Sequence, residues 1–154
     1  MGGSHIGEAL SRLMRTMGWR SIVIDPREAF SQSWRFSHAD RLMHEWPQEA
    51  FDELEVGEGD AVAAVTHNEQ MDDEAVAQAL GRKCYYVGVL GGRGTQRNRR
   101  ARLKERGFTE EEIGRIHGPI GLDIGAAVPE EIALSVAAEA VDAYRMLHET
   151  EERE

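Results

Sequence analysis

At 154 residues the chain has the size of one domain and is long enough to bury a core. Its 41% hydrophobic and 30% charged content is that of a water-soluble fold, and no run approaches the roughly 18 apolar residues of a membrane span. A net charge of −10 argues against general nucleic-acid binding, because a phosphate backbone would meet a repulsive body. With no apolar leader and no span, the expected location is the cytoplasm, and neither nucleic acid nor membrane is an expected partner. The single cysteine, Cys84, excludes an internal disulfide and a multi-cysteine metal site; it lies in an apolar run, as a packed thiol does.

The chain opens on a glycine turn, Gly2-Gly3-Ser4-His5-Ile6-Gly7. Ile6, Ala9, Leu10, Leu13, Met14 and Met17 then recur at three- and four-residue spacing, which predicts a helix with one apolar face, ended by Gly18. A strand follows at 21–24, closed by Asp25-Pro26-Arg27. Glycine turn, helix, strand and acidic residue form the latter part of a dinucleotide-binding βαβ unit, with Gly2, Gly3, His5 and Gly7 at the turn and Asp25 near the ribose position. Ser4 stands where the middle glycine of the fingerprint belongs, and the strand that should feed the turn is missing. The expected consequence is a sheet edge at 21–24 that is open or covered by another chain, as in a homo-oligomer, or by a borrowed segment. Asp25 as a plain strand-end residue stands beside the ribose role.

Residues 26–59 are rich in turns and aromatics and are expected to pack on the domain, with His38 and His44 as surface or packing residues. A strand at 60–65 carries His67 just past its carboxyl end, where ligands sit in open α/β sheets. A short helix at 71–80 leads to a further strand at 85–90. Next come Gly91, Gly92, Arg93 and Gly94, with Thr95 as the expected N-cap of a helix reaching Arg106 and stopped by Gly107. Seven of the chain's 18 Lys and Arg residues lie between Arg93 and Arg106. Arg93, Arg97, Arg100 and Lys104 share one helical face, an anion site in an acidic protein or simply a solvated helix. Thr109 caps a short helix, residues 117–126 read as a shaped glycine-rich loop carrying His117 and Asp123, and Pro129 opens the last helix. The domain is drawn at 1–148 with an acidic tail at 149–154. The pattern predicts an α/β three-layer, Rossmann-like domain with a mostly parallel sheet.

The glycine turn, Val23-Ile24-Asp25-Pro26-Arg27, Val65-Thr66-His67, Tyr86-Val87-Gly88-Val89-Leu90-Gly91-Gly92-Arg93, Ile116-His117-Gly118-Pro119-Ile120-Gly121-Leu122-Asp123-Ile124-Gly125-Ala126 and Pro129-Glu130-Glu131-Ile132-Ala133 occur in that order. Together they resemble the C-terminal Rossmann-like domain of the xanthine dehydrogenase accessory factor (XdhC/CoxI) family, over essentially the whole chain. The resemblance implies maturation of molybdenum hydroxylases: binding the molybdenum cofactor, assisting its sulfuration with a sulfurtransferase, and delivering it to the apo-enzyme. Larger members carry a further N-terminal domain with a cysteine-containing motif, which this chain lacks. Its first residues then mark a stand-alone paralogue, the partner of a separately encoded half, or a product with an upstream start. On this reading Gly91, Gly92, Arg93, Thr95 and Arg97 hold a phosphate, and His67, His117 and Asp123 orient the cofactor. Two other functions remain open: an NAD(P)-dependent oxidoreductase using Gly2, Gly7 and Asp25, and a protein-interaction module that binds no ligand.

Overall fold

The computed structural model describes residues 1–151, so the last three residues of the predicted acidic tail lie outside the described residues. Five strands alternate with helices, and every strand pairing is parallel. Helix α1 (His5–Thr16) leads to β1 (Ile22–Ile24), then a 3₁₀ turn (Ser33–Phe36), β2 (Arg41–Met43) and α2 (Pro47–Leu54). Next come β3 (Ala61–Ala64), α3 (Glu69–Gly81), β4 (Tyr86–Val89), α4 (Arg93–Glu105), α5 (Glu110–Gly114), β5 (Ile116–His117) and α6 (Pro129–Glu151). Parallel strands need crossovers, and the crossovers here lay helices on both faces.

Strand alternation sorts the core into two layers. Ile24, Val62, Ala64, Val87 and Val89 face α2 to α5, meeting Phe51, Val76, Leu80, Leu103 and Ile113. Val65 and Tyr86 face the other way, toward Ile6 of α1 and Val136 and Ala140 of α6. The three-layer α/β architecture expected from the sequence is therefore the observed one.

The sheet is split. β1 pairs with β2, and β3, β4 and β5 pair in that order, but β1 and β3 do not pair with each other. Only Met1 and Gly2 stand between them. The Gly2 N–H donates to the Ile24 carbonyl at 2.8 Å, and the Val65 N–H donates to the Met1 carbonyl at 2.8 Å. Two residues thus occupy one end of the place a central strand would fill.

Several boundaries differ from the sequence expectation. Residues 26–59 hold β2 and α2, which their prolines concealed: Pro47 sits in the first helical turn, where its missing N–H costs nothing. The N-cap of α4 is Gly92, extended at φ −69° and ψ 178°, so Thr95 lies inside the first turn. Ile116 and His117 form a strand beside β4, with His117 opposite Gly88, where a loop was expected. The last helix runs to Glu151, through the start of the expected tail. Thr109 does cap α5, in a reciprocal pair with Glu112.

Leu103, 1% exposed, fastens the basic helix α4 to the sheet. Leu103→Ala should cost about 2–5 kcal/mol of unfolding free energy in urea titration, whereas Leu134→Ala, at a side chain 53% exposed, should change it by less than about 0.5 kcal/mol.

Candidate functional site

All strands being parallel, their carboxyl ends gather at one edge of the molecule, and the segments that follow β1, β3, β4 and β5, with Asp25, His67, Gly91 to Thr95 and the loop after His117, start from that edge. The edge divides into two unequal parts.

At the first part, the turn before α1 is filled by the protein itself. Gly2 takes φ +125°, and a Cβ there would lie 2.7 Å from the Val65 carbonyl carbon. A Cβ on Gly3 would lie 2.4 Å from the Phe30 carbonyl oxygen, and one on Gly7 2.2 Å from the Gly2 oxygen. The glycines thus allow backbone to approach backbone. Asp25 is completely buried and fully engaged: Oδ2 accepts from the Gly3 N–H at 2.7 Å and from Arg27 Nη2 at 2.8 Å, and Oδ1 accepts from the Arg27 N–H and Nε. Arg27 also donates to the Thr66 carbonyl at 3.0 Å, and the Thr66 hydroxyl donates to Asp72 at 2.6 Å. Burial works to raise the pKa of Asp25, but the Arg27 guanidinium and the two backbone N–H groups outweigh it and hold the carboxyl below its ordinary value. For Asp72 burial wins over the Thr66 hydrogen bonds, and its pKa rises. Ser4 caps Gly7, Glu8 adds a negative charge to the first turn of α1, and His5 is exposed beside them. This part fits a dinucleotide poorly, because the ribose carboxylate has no free oxygen and the pyrophosphate approach is covered by residue 30.

The second part is open. Gly91 takes φ +124°, where a Cβ would meet Thr95 at 2.7 Å, so glycine is needed for the chain to turn into α4. Gly92 provides no side-chain cap, and the first helical hydrogen bond is Gln96 N–H to the Gly92 carbonyl. The backbone N–H groups of Arg93, Gly94 and Thr95 are left pointing outward, and a Cβ at Gly92 or Gly94 would touch nothing within 4 Å. Gln96 fixes this turn: its Nε2 donates to the carbonyls of Val89, Leu90 and Gly91, and its Oε1 accepts from buried Arg99 at 3.0 Å. A Cβ on Gly118 would lie 2.3 Å from Gln96 Oε1, so the same side chain joins the Gly91 turn to the loop after β5.

The basic helix is largely neutralised. Arg99 and Arg102 bind Asp73, Arg106 binds Glu74, Lys104 binds Glu110, and Arg100 donates to the Ile113 carbonyl. Of the cationic face expected from Arg93, Arg97, Arg100 and Lys104, Lys104 is ion-paired and Arg100 is half-buried on the neutral Ile113 carbonyl, while Arg93 and Arg97 are exposed and have no ion-pair partner among the described residues. Both belong to the first two turns of α4, the turns that the unbonded N–H groups open.

His117 stacks on Tyr86 with ring centroids 4.8 Å apart, and its Nδ1 lies 3.2 Å from Glu139 Oε1. Glu139 Oε2 also accepts from the Tyr86 hydroxyl at 2.7 Å and the Gly121 N–H at 2.8 Å. Burial raises the Glu139 pKa, but the hydrogen bonds from His117, Tyr86 and Gly121 bring it below normal. Burial, followed by the bond to Glu139, drives the Tyr86 phenol upward. His67 is exposed past β3 in a left-handed conformation, φ 62°, which is uncommon for a residue with a side chain. Asp123 is exposed in the loop before α6. Cys84 is buried, and that burial pushes its thiol up to about 11. Among the described residues, no three His, Cys, Asp or Glu side chains are grouped to hold a metal, and no helix is long and apolar enough to cross a membrane.

Gln96, Arg27, Tyr86 and Glu139 were not anticipated from the sequence. Glu139 carried a usable signal: it sits between Val136 and Ala140 on the buried stripe of α6, where a carboxylate needs partners.

A three-layer parallel α/β domain with a glycine turn and free helix N–H groups at its carboxyl edge belongs to the Rossmann-like class. Within that class the family is specific: the XdhC Rossmann domain matches residues 1–140, and the chain belongs to this family. It is 33% identical over 132 residues to a probable xanthine dehydrogenase component of Bacillus subtilis, covering 86% of this chain and 38% of that protein. It is 30% identical over 140 residues to YqeB of Escherichia coli, an uncharacterized protein, covering 90% of this chain and 26% of that one. A crystal structure of a xanthine dehydrogenase from Bacillus halodurans superposes with a TM-score of 0.80 at 26% identity, over 94% of this chain and 41% of that one. The chain thus spans well under half of these relatives.

The stability that Asp25 contributes is whole above its ordinary pKa of about 3.9 and is lost as pH falls through its lower folded value. Asp25→Asn should be less stable than wild type near pH 7 and lose less on acidification, measured by urea denaturation between about pH 7 and 2.5. Equal losses in the two proteins would show that Asp25 is not the acid-sensitive group.

Proposed function

We propose that this chain is a non-catalytic accessory factor for a molybdenum hydroxylase, and that it holds the phosphate of the molybdenum cofactor at residues 91–95. The observation that carries this reading is the uncapped start of α4, with three outward N–H groups and open space above Gly92 and Gly94. Arg93 and Arg97, left without acidic partners, supply the countercharge. A pterin phosphate or the pyrophosphate of a dinucleotide form fits this donor set. When bound, the cofactor supplies the molybdenum centre that a hydroxylase uses; the chain's own residues bind and orient it. His117, with Nδ1 turned to Glu139, keeps its other ring nitrogen for a ligand on the neighbouring loop. His67 and Asp123 flank the same edge.

Delivery needs a surface for the apo-enzyme. Leu122, Ile124 and Val128 are 42%, 55% and 47% exposed on the loop that follows β5. Their position beside the cofactor turn suits a client that receives the cofactor directly, and a sulfurtransferase would approach from the same side. The NAD(P) alternative is not supported by Gly2, Gly7 and Asp25, which are buried against the protein's own backbone.

The test is equilibrium binding of molybdenum cofactor and of NAD(P) to the wild type and to Arg97→Ala, Arg93→Glu, Asp25→Asn and Lys104→Ala. A charge-assisted hydrogen bond contributes about 1.5–3 kcal/mol, so Arg97→Ala should weaken cofactor binding roughly 10- to 150-fold. Arg93→Glu should weaken it further, and Lys104→Ala should leave it unchanged. Tight NAD(P) binding that is lost in Asp25→Asn and retained in Arg97→Ala would overturn the proposal.

A further inference from the structure

The aromatic density of residues 26–59 predicts packing on the domain, and Phe36 and Phe51, at 3% and 2% exposure, meet it. Phe30, Trp34 and Trp46 do not. They are 49%, 73% and 45% exposed, and no other aromatic ring among the described residues stacks on them, whereas Tyr85, Tyr86 and Tyr144 all have ring partners. A single exposed ring needs no explanation. Three in one short segment, two of them in consecutive turns after β1, form a surface that the fold itself does not use.

Phe30 is built into its position. Its N–H bonds the Arg27 carbonyl at 2.9 Å, and its own carbonyl accepts from Arg35 Nη1 at 2.9 Å. The Arg27 guanidinium carbon stands 4.3 Å from the ring centroid, so one face of the ring is backed by a group that Asp25 and the Thr66 carbonyl hold still. Trp34 Nε1 donates to Gln32 Oε1 at 2.7 Å, which ties its indole to the same stretch. The Arg27 bridge also sets where the ring lies. Arg27 touches Phe30 on one side and, at 3.0 Å, the carbonyl of Thr66 past β3 on the other. β3 pairs with β4 at about 4.8 Å, and β4 ends in the Gly91 turn. His67, exposed in its left-handed conformation, follows Thr66 between the two. A single ligand with a phosphate at residues 91–95 and a planar ring at Phe30 would pass over His67.

We propose that Phe30, with Trp34 on the following turn, is a stacking platform for a planar heteroaromatic ring carried by the phosphate-bearing ligand of residues 91–95. The inference rests on the phosphate site proposed above and narrows its ligand class to a phosphorylated pterin or a nucleotide, excluding a simple phosphate ester. Stacking suits this surface because every heteroaromatic ring has a π-face, so an exposed Phe or Trp binds it without needing buried polar partners. The ring and the phosphate are then held by separate elements, the turns after β1 and the start of α4, with the end of β3 between them.

The probes are inorganic pyrophosphate, cytidine diphosphate and 6-hydroxymethylpterin diphosphate, titrated calorimetrically into the full chain and into Phe30→Ala, Phe30→Trp, Trp34→Ala and Arg97→Ala. At least one of the two ring-bearing ligands should bind about 5- to 150-fold more tightly than pyrophosphate, the range of one base–aromatic stack. Phe30→Ala should remove most of that advantage and Trp34→Ala part of it, while pyrophosphate binding stays unchanged in both. Phe30→Trp should restore the advantage, which separates stacking from a general disturbance of the turn. Either ring binding in this way supports the platform, and the tighter of the two names its source. Ring-bearing ligands that bind no better than pyrophosphate, or an advantage that survives in both Phe30→Ala and Trp34→Ala, would overturn the platform and leave the phosphate site standing wherever Arg97→Ala weakens all three ligands. Binding that depends on Phe30 but is indifferent to Arg97→Ala would keep the ring site and overturn the phosphate site instead. No binding of any probe at millimolar concentration would overturn both.

Discussion

One buried carboxylate holds the two halves of the sheet at their carboxyl edge. Asp25 ends β1, binds the Gly3 N–H ahead of α1, and through Arg27 reaches the carbonyl of Thr66 past β3. β1 and β3 do not pair with each other, and at the carboxyl edge this network and the bonds of Met1 and Gly2 join the halves, as Arg82 does between α3 and α2. A carboxylate with no exposed surface must be compensated, and four hydrogen bonds from two residues do this while tying three loops together. The price is that Asp25, the residue whose sequence position most suggested a ligand, has none of its oxygens to spare.

A similar economy governs charge. Seven cations between Arg93 and Arg106 in a chain of net charge −10 suggest an anion-binding face. The fold packs α3 against α4, and Asp73 and Glu74 of α3 meet Arg99, Arg102 and Arg106, so most of the cluster is used to join two helices. Exposed pairs of this kind contribute little each. Arg99 is different: it is 1% exposed, binds Asp73, Gln96 and the Leu90 carbonyl, and so braces the turn from beneath. What remains for a ligand is concentrated at the helix start.

Strand and helix identity was legible wherever apolar periodicity was uninterrupted, as at β3, β4, α1 and α3. β2 and β5, with three and two residues, are too short to show a period of two, and only their neighbours make them strands. Position along the sheet was legible too, because a residue just past a parallel strand must lie at the carboxyl edge. The partners of those residues were not. That Arg27 would close over Asp25, that Gln96 would fill the space beside Gly118, and that Glu139 would reach Tyr86 and His117 from 53 and 22 residues away depends on tertiary placement. Local sequence cannot encode such contacts one residue at a time.

The chain contains the same local device twice, a glycine turn leading into a helix, and the structure gives the two copies opposite fates. At α1, Ser4 accepts from the Gly7 N–H, Glu8 places a negative charge in the first turn, and the Phe30 carbonyl covers Gly3. A further anion there would meet a satisfied and negatively charged helix end. At α4, the cap is glycine, the first turn holds no acid, and Arg93 and Arg97 lie one turn apart on the same face. The helix dipole is the same in kind at both ends, so it does not choose between them. Capping and local charge do: at α1 an N-cap side chain and a first-turn carboxylate already supply what an anion would, and at α4 neither is present.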